Sequence, residues 1–96
     1  MAKLDSTASA AGFGERLKRA LQEGLRVAGI RATVVTEPIP RTKLHRVLVK
    51  SAGFGSLAFT ERQDLVWRIV DRQFSADEQL RISMILTMTP DEARGE

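Results

Sequence analysis

Five features of this chain have the chemistry to do something, and each also has a plain explanation. His45 is the only histidine, and it is the one side chain whose ordinary pKa makes it a proton switch near neutrality. It could serve as a metal or cluster ligand, or simply be a histidine on a strand surface. Arg41, Lys43, Arg46 and Lys50 form the densest basic run. Such a run suits phosphates, and it equally suits a solvated edge strand on which Lys discourages sheet-to-sheet pairing. The carboxylates Asp64/Asp71 and Asp77/Glu78 could in principle work as acid–base pairs. They interleave with arginines at helical spacing, which reads better as an ion-paired solvent face. Ser51 and His45 have no nucleophile elbow, third group or oxyanion loop around them, so hydrolysis is not expected. Gly53-Phe54-Gly55 lacks the third glycine and the lysine of a nucleotide loop and reads as a tight turn that buries Phe54.

The composition closes off other chemistry. There is no cysteine, which excludes disulfides, thiolate zinc sites and a cysteine nucleophile. The 96 residues allow one domain with a modest core. The formal charge of +3 is unevenly spread: residues 15–50 carry a net +6 and residues 51–96 a net −3. A basic half attracts nucleic acid or an acidic protein surface. No stretch approaches the roughly 20 apolar residues of a membrane span, and the first residues lack the apolar run of a secretory signal. A cytoplasmic protein with a mobile tail at residues 1–12 is expected.

Periodicity supplies the elements that would carry these groups. Phe13, Leu17, Leu21 and Leu25 mark a helix that Gly29 stops, with Gly24 reserved for close packing on a sheet. Residues 30–37 and 44–50 alternate as strands, joined through Pro38 and Pro40 as an antiparallel pair. Thr60 and Gln63 fit a capping box for a second helix with Leu65, Val66, Ile69, Val70 and Phe74 inward. Trp67 falls outside that stripe and so is a candidate partner anchor. Ser75 to Glu78 reads as a turn or one further helical turn. Residues 80–87 form a third strand with Leu80, Ile82, Met84 and Leu86 on one face, and Thr89-Pro90 opens a helical stub. The sum is an α+β domain in αββαβ(α) order: a three-stranded sheet with helices on one face, of the type II KH-like kind.

Taken in register, the second half resembles the BolA family. VLVKSAGF carries Ser51 and Phe54, Arg62 follows at the family's spacing, Val66-Trp67 stands for Val-Tyr, and Thr87-Met88-Thr89-Pro90-Asp91-Glu92 matches the family's closing signature. The resemblance covers residues 44–92 best and implies a single BolA-like domain over residues 13–92. It implies a protein that is not an enzyme. It would be a binding or regulatory protein that contacts nucleic acid through Arg41, Lys43, Arg46 and Lys50, or else the partner of a monothiol glutaredoxin in iron–sulfur handling. No cofactor of its own is expected, only a shared iron–sulfur cluster in the second case. Arg62, Trp67 and Arg81 then belong to the partner face, and His45 is the candidate metal ligand. The departures matter: Gln63 stands where the family has His after Arg, and Arg81 stands where it has its characteristic histidine. An arginine has no lone pair to offer a metal but can grip a phosphate or carboxylate with two donors. The sequence gives no guide to oligomeric state.

Overall fold

The computed structural model describes residues 2–95, with side chains from residue 12 onward. Helix α1 (Ala2–Val27) is followed by strands β1 (Thr33–Pro38) and β2 (His45–Lys50). A 3-10 turn at Ala52–Ser56 then leads to α2 (Phe59–Gln73), the short α3 (Ala76–Gln79), β3 (Ile82–Met88) and the stub α4 (Pro90–Ala93). The sheet runs β1-β2-β3, with β1 antiparallel and β3 parallel to β2. This is the expected α+β order, including the antiparallel first pair. Among the described residues no helix is long and apolar enough to cross a membrane.

Helix α1 starts well before Phe13. The segment expected to be a tail is helical from Ala2, in keeping with its alanines and the lack of any breaker before Gly12. Phe13, Leu17, Leu21 and Leu25, four residues apart, are all buried. The helix stops as expected at Gly29, whose φ of 84° lets its N–H reach Arg26 O while Ile30 N–H reaches Leu25 O at 2.8 Å. That closure occupies Ile30 and delays β1 to Thr33. Gly24 packs on a helix and not on the sheet. A Cβ there would sit 2.6 Å from Ile69 Cγ2, so the glycine sets how closely α1 approaches α2.

Helix α2 begins two residues earlier than the Thr60 cap implies. Ala58 is the N-cap, and the Glu61 carboxylate accepts its N–H at 2.7 Å. Gln63, freed from any capping role, instead donates to Ile85 O at 3.0 Å and to Thr87 Oγ1 at 3.2 Å. The inner stripe of Val66, Ile69 and Val70 packs with Phe54, Phe74, Val34, Val47 and Val49 as one core. The expected turn around Phe54 forms: Ser51 Oγ accepts from Gly53 N–H and donates to Arg31 O at 2.6 Å, and Phe54 is fully buried. Ser75–Glu78 and Thr89–Glu92 make reciprocal capping boxes at α3 and α4.

The face of β3 is the main reversal. His45 pairs with Ile82 but Arg46 pairs with Met84, so Ser83 is an extra residue that breaks the alternation. Beyond it Ile85 and Thr87 point inward and are buried, whereas Met84 and Leu86 face out, 40% and 38% exposed. Leu80, expected to share a face with Ile82, precedes the strand and is 75% exposed.

Candidate functional site

The start of β2, the start of β3 and the first described side chains of α1 meet at one end of the sheet. His45 N–H donates to Arg81 O at 2.7 Å, and Ser83 Oγ donates to His45 O at 3.1 Å. The bulge thus ties His45 and Arg81 together at the backbone. Their side chains converge on one ring. The His45 imidazole lies 5.2 Å from Phe13, and the Arg81 guanidinium stands 5.6 Å over the same ring. Phe13 in turn meets Phe74 edge-on at 5.7 Å, and Arg16 covers Phe74 while pairing with Glu78 at 2.7 Å. The Glu78 carboxyl is held below the usual carboxylate range, first by the Ser75 backbone N–H and then by Arg16.

His45 is half-buried on the inner side of the sheet. Its Nδ1 is sealed from solvent and has no hydrogen-bond partner. The Cδ2–Nε2 edge lies over Gly14, where a Cβ would come within 3.4 Å of Cδ2 and 2.9 Å of Thr36 Oγ1. Thr36 Oγ1 donates to Gly14 O, so β1 closes the other side of this contact. Phe13 and Gly14 therefore build the platform under His45. In the sequence Phe13 reads only as core, and nothing marks Gly14.

Arg81 is exposed and makes no ion pair among the described residues. The β1–β2 connection at the same end holds Arg41 and Lys43, both exposed. It is shaped by Thr42, whose hydroxyl donates to Ile39 O and accepts from Leu44 N–H, and by Arg41 at a φ of 66°. Arg46 is the next cation along β2, paired across the strands with Glu37 at 3.3 Å and still half exposed. Arg41, Lys43, Arg46 and Arg81 thus share one pole. Lys50 does not: it lies at the far end of β2, about 13 Å away by strand rise.

Arg62 goes elsewhere. It is buried, donates to both carboxylate oxygens of Glu92 (2.7 and 3.3 Å) and to Leu57 O, and stands over Phe54. Its donors fasten α2 to α4 and to the turn, leaving it no role at the pole. Glu92 is held below the usual carboxylate range by Arg62 first and by the Thr89 backbone N–H second. Trp67 is half-buried against the core, on a shallow groove edged by Asp64, Arg68 and Asp71. Among the described residues no three His, Asp or Glu side chains gather as a metal site.

This arrangement of helices and mixed sheet matches that of BolA1 from Arabidopsis thaliana, with a TM-score of 0.62 over 84% of this chain and 95% of that one, at 21% identity. The fold is BolA-like. No protein-family model and no curated protein matches the sequence. Within the BolA-like fold, the pole of His45 and Arg81 joins the β1–β2 turn to the start of the last strand.

Proposed function

We propose that this BolA-like chain is a non-enzymatic binding protein whose basic pole contacts the phosphates of nucleic acid. The observation that carries this reading is the state of Arg81. It is exposed, positioned over Phe13, and has no carboxylate partner among the described residues. A guanidinium held by a ring and short of an anion is ready for a bidentate phosphate contact. Arg41 and Lys43 add two more exposed cations from the adjoining turn, and Arg46 a third that Glu37 partly neutralises. Phosphate contacts of this kind give affinity without base readout. The binding would therefore tolerate many sequences.

The test is fluorescence anisotropy with a labelled 20-base-pair duplex at about 50 mM salt. Binding should be saturable, and replacing Arg41, Lys43 and Arg81 by Gln should weaken it at least tenfold. Undiminished binding by that variant would refute the reading.

A second reading, partnership with a monothiol glutaredoxin around a shared iron–sulfur cluster, has one observation in its favour: the His45 Nδ1 lacks a hydrogen-bond partner. Against it, that nitrogen is sealed, and Arg81 beside it has no lone pair. With Nδ1 sealed, ligation would fall to the His45 Nε2, on the edge over Gly14, as the single nitrogen donor the pole offers a cluster. A visible cluster spectrum on mixing with a monothiol glutaredoxin, lost in His45→Ala, would favour this reading over the first.

A further inference from the structure

The helices cover one face of the sheet, and the other face sets a continuous apolar group among the polar Thr33, Glu37, Arg46 and Lys50. The register sets Val35 opposite Leu48 and Leu48 opposite Leu86, so an apolar row crosses all three strands. Met84 and Met88 extend it along β3 on either side of Leu86. Val35, Met84 and Leu86 are 47%, 40% and 38% exposed. Single exposed apolar residues are ordinary, but a contiguous set is characteristic of an interaction surface. The chain makes polar surfaces elsewhere: the outward side of α2 carries Glu61, Asp64, Arg68 and Asp71, all exposed. The apolar set on the open face therefore needs its own explanation. The Ser83 bulge creates it by turning Met84 and Leu86 outward.

The charges on this face select what covers it. Arg46 lies beside Met84 and Lys50 beside Met88 in the register, and Lys50 has no ion pair among the described residues. A second copy stacked row on row about a two-fold axis would set Lys50 over Lys50 or over Arg46. That juxtaposes like charges and disfavours self-association. Glu37 lies opposite Arg46 on this same face and pairs with it, so Lys50 is the cation left for a partner's carboxylate. The column Met84–Leu86–Met88 spans about 13 Å, which is close to two turns of α-helix. A helix laid along β3 with apolar residues at i, i+3 or i+4, and i+7 would seat on it. Methionines are suited to this because their unbranched side chains adapt to a docked surface.

We propose that the open face of the sheet docks an acidic amphipathic helix of a partner protein. Its apolar stripe lies on Met84, Leu86 and Met88, and a flanking carboxylate faces Lys50. This surface is distinct from the pole, which keeps Arg41, Lys43 and Arg81 for nucleic acid.

The test uses an 18-residue helical peptide with a Leu stripe and flanking Glu residues, titrated into protein labelled with 15N and with 13C in the methionine methyls. Saturable shifts centred on Met84, Leu86 and Met88 are expected. Leu86→Ser should weaken binding at least tenfold with the far-UV circular dichroism unchanged. Lys50→Glu should weaken it at least fivefold, and a peptide with Lys in place of Glu should recover the loss. Arg41→Gln with Lys43→Gln should leave peptide binding unaltered, which separates this surface from the nucleic-acid pole. Three outcomes overturn the proposal: no saturable shift at millimolar peptide, concentration-dependent dimerisation through these methyls, or their perturbation by the DNA duplex instead of the peptide.

Discussion

Arg62 and Arg81 are both arginines of the segment that resembles the BolA signature, and the fold treats them in opposite ways. Arg62 is buried, with Glu92 and backbone carbonyls occupying its donors. Arg81 lies at the other end of the sheet, exposed over Phe13 with no carboxylate beside it among the described residues. The same guanidinium chemistry fastens the molecule in one place and remains available in the other. The difference comes from what each region supplies. Near Arg62 the α4 stub brings an acid inward, whereas near Arg81 the neighbouring acids are already committed, Glu78 to Arg16 and Glu37 to Arg46.

That contrast can be broken by substitution. Arg62→Ala should cost about 2 kcal/mol of stability, because the buried Thr87 and Leu57 carbonyls lose a charged donor and α4 loses its anchor. A shift in the urea midpoint with an unchanged m-value checks this, and nucleic-acid affinity should stay within twofold of the parent. Arg81→Ala should show the reverse. Stability should fall by only about 0.5–1 kcal/mol, the worth of an exposed cation–π contact, while affinity for the duplex drops several-fold. Equal effects of the two variants on both readouts would erase the distinction.

Smaller effects sharpen it. Glu37→Gln releases Arg46 from its ion pair and should raise duplex affinity about twofold at low salt, since exposed pairs of this kind contribute about 0.2–1 kcal/mol. The acid response should be local. The Glu92 carboxyl is depressed in the folded protein, so its contribution is complete above the usual carboxylate range and is lost as pH falls through its lowered value. Carboxyl shifts followed by NMR should therefore show α4 loosening in that acidic window, and the Glu78 pair with Arg16 should loosen as its own lowered carboxyl protonates. Arg62→Ala should return Glu92 toward its ordinary titration.

Local signals were legible in the sequence, and distant ones were not. Gly29 ends α1, Thr89 opens α4 and Phe54 is buried in its turn because each outcome depends on residues within a few positions. The inward stripe of α2 follows for the same reason. Arg62 could not be seen as buried, since its acid lies thirty residues on. Gly24 showed a need for close approach but not that Ile69 would be the neighbour. Ser83 carries no mark of a bulge, so strict alternation groups Met84 and Leu86 with the buried Ile82, and with it hides the open apolar surface. At the pole, the cations Arg41, Lys43 and Arg46 were legible as a run. Their assembly with Arg81 over Phe13 depends on β3 running parallel beside β2, which only the tertiary fold shows.

The central claim is that the pole binds phosphates through a small set of cations. It is tested most directly by the salt dependence of duplex affinity. For the parent protein, log K against log salt should fall with a slope of about −3 to −4, matching three or four neutralised phosphates. The Arg41→Gln, Lys43→Gln double variant should reduce that slope by about 2. A flat salt dependence, or a slope that the double variant leaves unchanged, contradicts the account.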